Sequence, residues 1–142
     1  MTGRTEALDL VLELTVLLGE DMRRGLAELG LTESRTHLLW TVAAIGPCTQ
    51  RVLADALGVA PRTVTSLVDA LVETGFVTRE PHPSDRRATL VTLTPHGTEV
   101  AASLRAGHEE LAGQLFGDLE PAAYDAFLAG LGATVAKLRE LT

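Results

Sequence analysis

The chain holds 142 residues, of which 46 % are hydrophobic and 22 % charged, with a formal net charge of −7. That balance suits one domain with a packed core and excludes a disordered chain. The single cysteine, Cys48, excludes an intrachain disulfide and a cysteine-rich metal site, and no apolar run reaches the roughly 18 residues of a membrane span. Near the N-terminus, Glu6, Asp9 and Glu13 stand where a secretory signal would carry a basic cluster, which assigns the chain to the cytoplasm with no membrane partner.

Leu8, Val11, Leu12, Thr15, Leu18, Met22, Leu26 and Leu29 recur at spacings of three and four and predict a long helix over 5–29. Leu14, Val16 and Leu17 widen its apolar surface beyond what one small lobe covers. Gly30 is a stop signal, and Thr32 caps a second helix to about Ile45, with Leu38, Leu39, Val42 and Ile45 inward. Gly46-Pro47 breaks that helix. Thr49 then caps a short helix over 50–57, with Val52, Leu53, Ala54 and Leu57 facing in. After Gly58, Pro61 takes the first position of a helix over 61–74 whose apolar face is Val64, Leu67, Val68, Leu71 and Val72. Two short helices joined by a turn containing glycine make a helix-turn-helix.

After Gly75 the apolar period changes from 3.6 to 2. Phe76 to Glu80 reads as a strand, Pro81 to Asp85 as a turn-rich tip, and Thr89 to Leu93 as the returning strand. A hairpin in this place is a wing. A helix follows over about 95–116, then a loop over 117–120. The last helix, about 121–140, carries Tyr124, Phe127, Leu128, Leu131, Val135 and Leu138 as its stripe. The expected fold class is mainly α with a small β-hairpin wing, a winged helix-turn-helix with N- and C-terminal dimerisation helices. One domain spans 1–142, with 5–29 and 117–142 as the dimerisation helices and 33–97 as the winged lobe.

The acidic total argues against a nucleic-acid partner, but its distribution does not. Residues 46–97 hold five arginines and five acids, so the whole excess of −7 lies outside them. On the helix over 61–74, Arg62, Ser66, Asp69 and Glu73 point away from the apolar stripe, with Thr63 and Thr65 on the flanks. The first residues of a recognition helix reach base edges. Arg62 can bond guanine bidentately, and Thr63, Thr65 and Ser66 can reach bases or phosphates. Asp69 and Glu73 lie farther along, where repulsion from phosphate is smaller. Thr49, Gln50 and Arg51 open the preceding helix within reach of phosphate. Arg86 and Arg87 stand at the wing tip, and arginine suits a narrow minor groove. For Arg62 and Arg51 the bland alternative is a solvated surface arginine.

Other chemistry is poorly represented. No paired carboxylates, nucleophile with a base, or phosphate-binding glycine loop stands at a useful spacing, so neither an enzyme nor a cofactor is expected. His37, His82, His96 and His108 lack metal-ligand spacing, and His82 and His96 fall at turn positions open to solvent. A thiol near a helix start can be acidified, which raises a redox role for Cys48. Its place just before the cap Thr49 favours an apolar staple instead.

Asp85 to Gly97 fits the wing signature D-x-R-x5-L-T-x2-G at every specified position, and Thr49–Val59 and Arg62–Leu71 look like two helix-turn-helix helices. In these residues the chain resembles the MarR family, the multiple-antibiotic-resistance-type regulators. The resemblance implies a homodimer with intertwined terminal helices that binds pseudo-palindromic double-stranded DNA. It implies that Arg87 is the arginine inserted in the minor groove, that Asp85 orients it, and that Arg86 reaches a phosphate; an Asp–Arg pair that only stiffens the turn stays open. It also implies release by a small phenolic or other lipophilic ligand in a cleft where the dimer helices meet the DNA-binding lobe. Leu12, Arg24, His37 and Trp40 are candidates to line that cleft, although Trp40 also reads as core. Relatives that sense peroxide carry a cysteine in the first helix, which this sequence lacks. Ala60 stands where relatives carry a capping Ser, and Ser66 where many carry Arg. Two rival readings are a winged helix used as a protein-interaction module and a constitutive repressor without ligand.

Overall fold

The computed structural model describes residues 2–142. The order of elements is α1 (Thr2–Glu28), α2 (Glu33–Ile45), α3 (Gln50–Leu57), α4 (Pro61–Glu73), β1 (Val77–Pro81), β2 (Thr89–Leu93), α5 (Pro95–Phe116) and α6 (Pro121–Leu141). The chain divides into two compact units, Met1–Ala101 and Ala102–Thr142, with the boundary inside α5.

In the first unit, α2, α3, α4 and the hairpin enclose one core. Leu38 and Leu39 of α2, Leu53 of α3, Val64, Val68 and Leu71 of α4, and Val91 of β2 are completely buried. The caps explain why the helices stop where they do. Thr32 and Thr49 each accept a backbone N–H three residues on, from Arg35 and Val52 at 3.2 Å. Gly58 ends α3 in the left-handed region at φ 66°, with its N–H on the Ala54 carbonyl. Ala60 caps α4 without a side-chain bond, and Pro61 follows it. At the end of α1, Leu31 N–H reaches the Leu26 carbonyl at 2.9 Å, and both leucines are buried.

The hairpin is antiparallel, pairing Val77 with Leu93, Arg79 with Val91 and Pro81 with Thr89. Cys48 adds a single antiparallel bridge to the other edge of β2: its N–H donates to the Val91 carbonyl at 3.3 Å, and Val91 N–H donates to its carbonyl at 2.7 Å. Cys48 is thus a buried residue that is also held by main-chain pairing. The first strand begins at Val77 rather than Phe76, because Phe76 N–H closes the end of α4 on the Leu71 carbonyl at 2.8 Å. Ile45 and Val52, expected inward, are 52 % and 42 % exposed. Ile45 is the last residue of α2, and on α3 the buried positions are Leu53 and Ala54.

In the second unit, Phe116 packs beside Tyr124 and Phe127, with ring centroids 6.1 and 5.7 Å apart. Gly117 lies so close to the Gly113 carbonyl that no side chain fits there. No residue of α6 is buried, and Phe127, Leu128, Val135 and Leu138 are exposed.

Candidate nucleic-acid interface

The buried stripe of α4 leaves Arg62, Thr63, Thr65, Ser66 and Asp69 exposed. Arg62 follows Pro61 in the first turn of α4. Thr63 and Val64 N–H lie 3.0 and 3.3 Å from the Ala60 carbonyl. Arg51 is exposed in the first turn of α3. Thr49 is half-buried, and its hydroxyl oxygen is engaged in the cap of α3.

Gln50 and Thr65 are joined to each other. The Gln50 Nε2 donates to Thr65 Oγ1 at 3.0 Å, and Thr65 Oγ1 donates to the Pro61 carbonyl at 3.1 Å. The Gln50 Oε1 accepts from Arg79 Nε at 3.0 Å, and an Arg79 terminal nitrogen pairs with Asp69 Oδ1 at 2.5 Å. Arg79 was missed in the sequence. Strand alternation carried the only signal: Arg79 falls on the same face of β1 as buried Val77, where an unpaired charge would be costly.

The wing tip is a closed loop with its own internal bonds. His82 N–H donates to the Ala88 carbonyl at 3.1 Å, and Ala88 N–H to the Asp85 carbonyl at 3.1 Å. The ring Nδ1 of His82 accepts the N–H groups of Ser84 and Asp85, each at 3.1 Å. His82 is thus a half-buried part of the loop rather than a solvated turn residue. His96, also expected to be solvated, is exposed in the first turn of α5 but sets its ring 4.9 Å from that of Phe76. Asp85 Oδ1 accepts the backbone N–H of Arg87 at 3.0 Å. Among the described residues it makes no ion pair with the Arg87 guanidinium, so Asp85 shapes the loop that presents Arg86 and Arg87, both of which are exposed.

At the base of the wing, the Thr94 hydroxyl lies 2.6 Å from the Gly75 carbonyl and 3.1 Å from that of Phe76, and accepts Gly97 N–H at 2.9 Å. A β-carbon on Gly97 would collide with the Phe76 carbonyl. The signature therefore splits in two: Asp85 and Arg87 belong to the tip, while Leu93, Thr94 and Gly97 join the wing to α5.

Cys48 is 5 % exposed, and burial raises its thiol above the ordinary range. That works against a reactive thiolate. Of the four candidate ligand residues, Leu12, Arg24 and His37 are exposed and Trp40 is half-buried on α2. An open depression of about 510 Å³ lies beside Arg23, Leu26, Leu31, Thr32, Glu33 and Ser34. None of the four lines it.

Residues 31–89 match the model of the MarR family. The chain is also 32 % identical over 98 residues to the multiple antibiotic resistance protein MarR of Salmonella typhimurium, covering 66 % of this chain and 68 % of that one. The chain belongs to the MarR family. To an HTH-type transcriptional regulator of Mycobacterium bovis it is 40 % identical over 83 residues, 58 % of each chain. The chain spans 54 % to 58 % of the length of the mycobacterial relatives it matches. Among solved structures, FabT of Streptococcus pneumoniae in complex with DNA superposes with a TM-score of 0.81 at 18 % identity, covering 99 % of both chains. A transcriptional regulator from Thermotoga maritima superposes with a TM-score of 0.63 at 27 % identity, covering 96 % of both. These likenesses establish the MarR fold, a winged helix-turn-helix. No helix among the described residues is long and apolar enough to cross a membrane.

Proposed function

We propose that this MarR-family chain is a transcription regulator that binds double-stranded DNA as a homodimer. The observation that carries the reading is that Arg62, at the start of α4, and Arg86 and Arg87, at the wing tip, are exposed in a lobe whose core fixes both α4 and the hairpin. In this reading the first turn of α4 enters a major groove. Arg62 bonds guanine, and Thr63 and Ser66 reach bases or phosphates. The positive end of the helix dipole favours a phosphate there. Arg87 enters the adjacent minor groove, Arg86 meets a phosphate, and Arg51 and the start of α3 track the backbone. The wing loop, tied at His82 and Asp85, supports this role by holding both arginines at an outer turn.

Two copies are supported by the exposed apolar residues of α1, among them Leu8, Leu12, Val16 and Leu17, and by those of α6. A partner that covers them removes a large apolar surface from water. The terminal stretches 5–29 and 117–142 are then the dimerisation arms of one domain. Two lobes held about 34 Å apart read half-sites one helical turn apart. Such a dimer works in the cytoplasm as a repressor. A small lipophilic ligand that favours a DNA-incompetent spacing of the lobes releases it.

The test is fluorescence anisotropy on DNA from upstream of the chain's own gene, with random DNA as competitor. The reading predicts strong preference for the upstream DNA and an affinity that falls steeply with salt. Equal affinity for both DNAs contradicts it. A monomer in light scattering at micromolar concentration contradicts the dimer.

A further inference from the structure

Arg79 is the residue on which three elements of the DNA-facing side converge. It lies on β1, two residues from buried Val77 and opposite buried Val91, so its stem starts on the core face of the hairpin. Its guanidinium emerges at the rim and meets Gln50, at the start of α3, and Asp69, in the middle of α4. Asp69 lies seven residues after Arg62 and three after Ser66, so all three share one exposed face of the helix. A free carboxylate there would face DNA phosphates. Gln50 in turn holds the Thr65 hydroxyl, which is already bonded to the Pro61 carbonyl.

We propose that Arg79 is a positioning residue for DNA recognition, which takes up the charge of Asp69 on the reading face of α4 and locks Gln50 and Thr65 into an internal chain. The inference rests on the DNA-binding reading above. Gln50 and Thr65 then act on DNA through the placement of α4, and Arg62, Thr63 and Ser66 are left to meet bases. The fork of the guanidinium suits this task because one nitrogen serves the amide while another serves the carboxylate. Both partners of the ion pair are substantially exposed, with side chains 31 % and 61 % accessible, so the pair adds little to stability. Its weight falls on charge and geometry at the interface.

The test compares the full-length wild type with Arg79→Gln, Asp69→Asn and the double variant, by anisotropy on the upstream DNA across a salt series. Thermal melts confirm that each variant folds. The expected result is a loss of about tenfold or more for Arg79→Gln at low salt, shrinking as salt screens the repulsion between the freed Asp69 carboxylate and phosphate. Asp69→Asn stays within about threefold of wild type, and the double variant recovers most of the loss. A merely structural arginine would not be rescued by removing the opposing charge. Two results overturn the proposal: Arg79→Gln binds like wild type, or the double variant stays as weak as Arg79→Gln, which marks a direct phosphate contact or a merely structural arginine. A wild type with no preference for any DNA overturns the DNA-binding reading itself, and is distinguished from these by the wild-type curve alone.

Discussion

Gly97 presses its α-carbon against the backbone carbonyl of Phe76, leaving no room for a β-carbon. This approach brings the first turn of α5 against the entrance to the wing, where the Thr94 hydroxyl ties both to Gly75. Gly97→Ala has to push backbone apart rather than turn a side chain. We expect a loss of about 1–3 kcal/mol in chemical denaturation, from overpacking at a backbone contact. Stability equal to wild type contradicts the packing described.

His82 holds the wing tip through one ring nitrogen and two N–H groups. His82→Ala leaves the N–H groups of Ser84 and Asp85 to water. The expected outcome is faster hydrogen exchange at Ser84 and Asp85, with a melting temperature close to wild type because the loop lies outside the core. Unchanged exchange at both amides contradicts the role given to the ring.

Cys48 is buried, and burial disfavours its thiolate. Native protein at pH 8 should react with iodoacetamide at least tenfold more slowly than unfolded protein. The sign for stability follows: folding holds the thiol proton more tightly, so this contribution is intact below the unfolded thiol's pKa and is lost as pH rises through the folded one. Rapid alkylation of the native protein contradicts the burial.

Ala60 begins α4 without a side-chain cap. Its backbone is already extended, at φ −65° and ψ 147°, as a capping residue requires. Ala60→Ser should therefore stabilise the protein by about 1 kcal/mol in denaturant titration. A destabilised variant shows that the hydroxyl cannot reach a first-turn N–H group.

Much of the lobe was legible because local signals agreed. Thr32, Thr49, Gly58 and Pro61 mark the ends of α2, α3 and α4, and the buried Val64, Val68 and Leu71 repeat at helical spacing. What was hidden depends on contacts distant in sequence. Arg79 meets Gln50 across 29 positions and Asp69 across ten. Cys48 pairs with Val91 across a stretch that reads locally as a break after α2. The shift of the first strand past Phe76 follows from one bond to Leu71, which apolar period alone does not reveal. The histidine at the wing tip looked solvated because its partners are backbone groups, which carry no mark in a sequence.

The central claim is that the exposed arginines of the wing and of α4 bind DNA. The most direct test is a competition titration on the upstream DNA with wild type, Arg62→Ala and Arg87→Ala side by side. Loss of a base contact by Arg62→Ala should weaken binding by about 10- to 100-fold, more on the upstream DNA than on random DNA. Arg87→Ala should weaken it by about tenfold or more and reduce its salt dependence. If both variants bind either DNA as wild type does, these arginines do not meet DNA and the account of the interface is wrong.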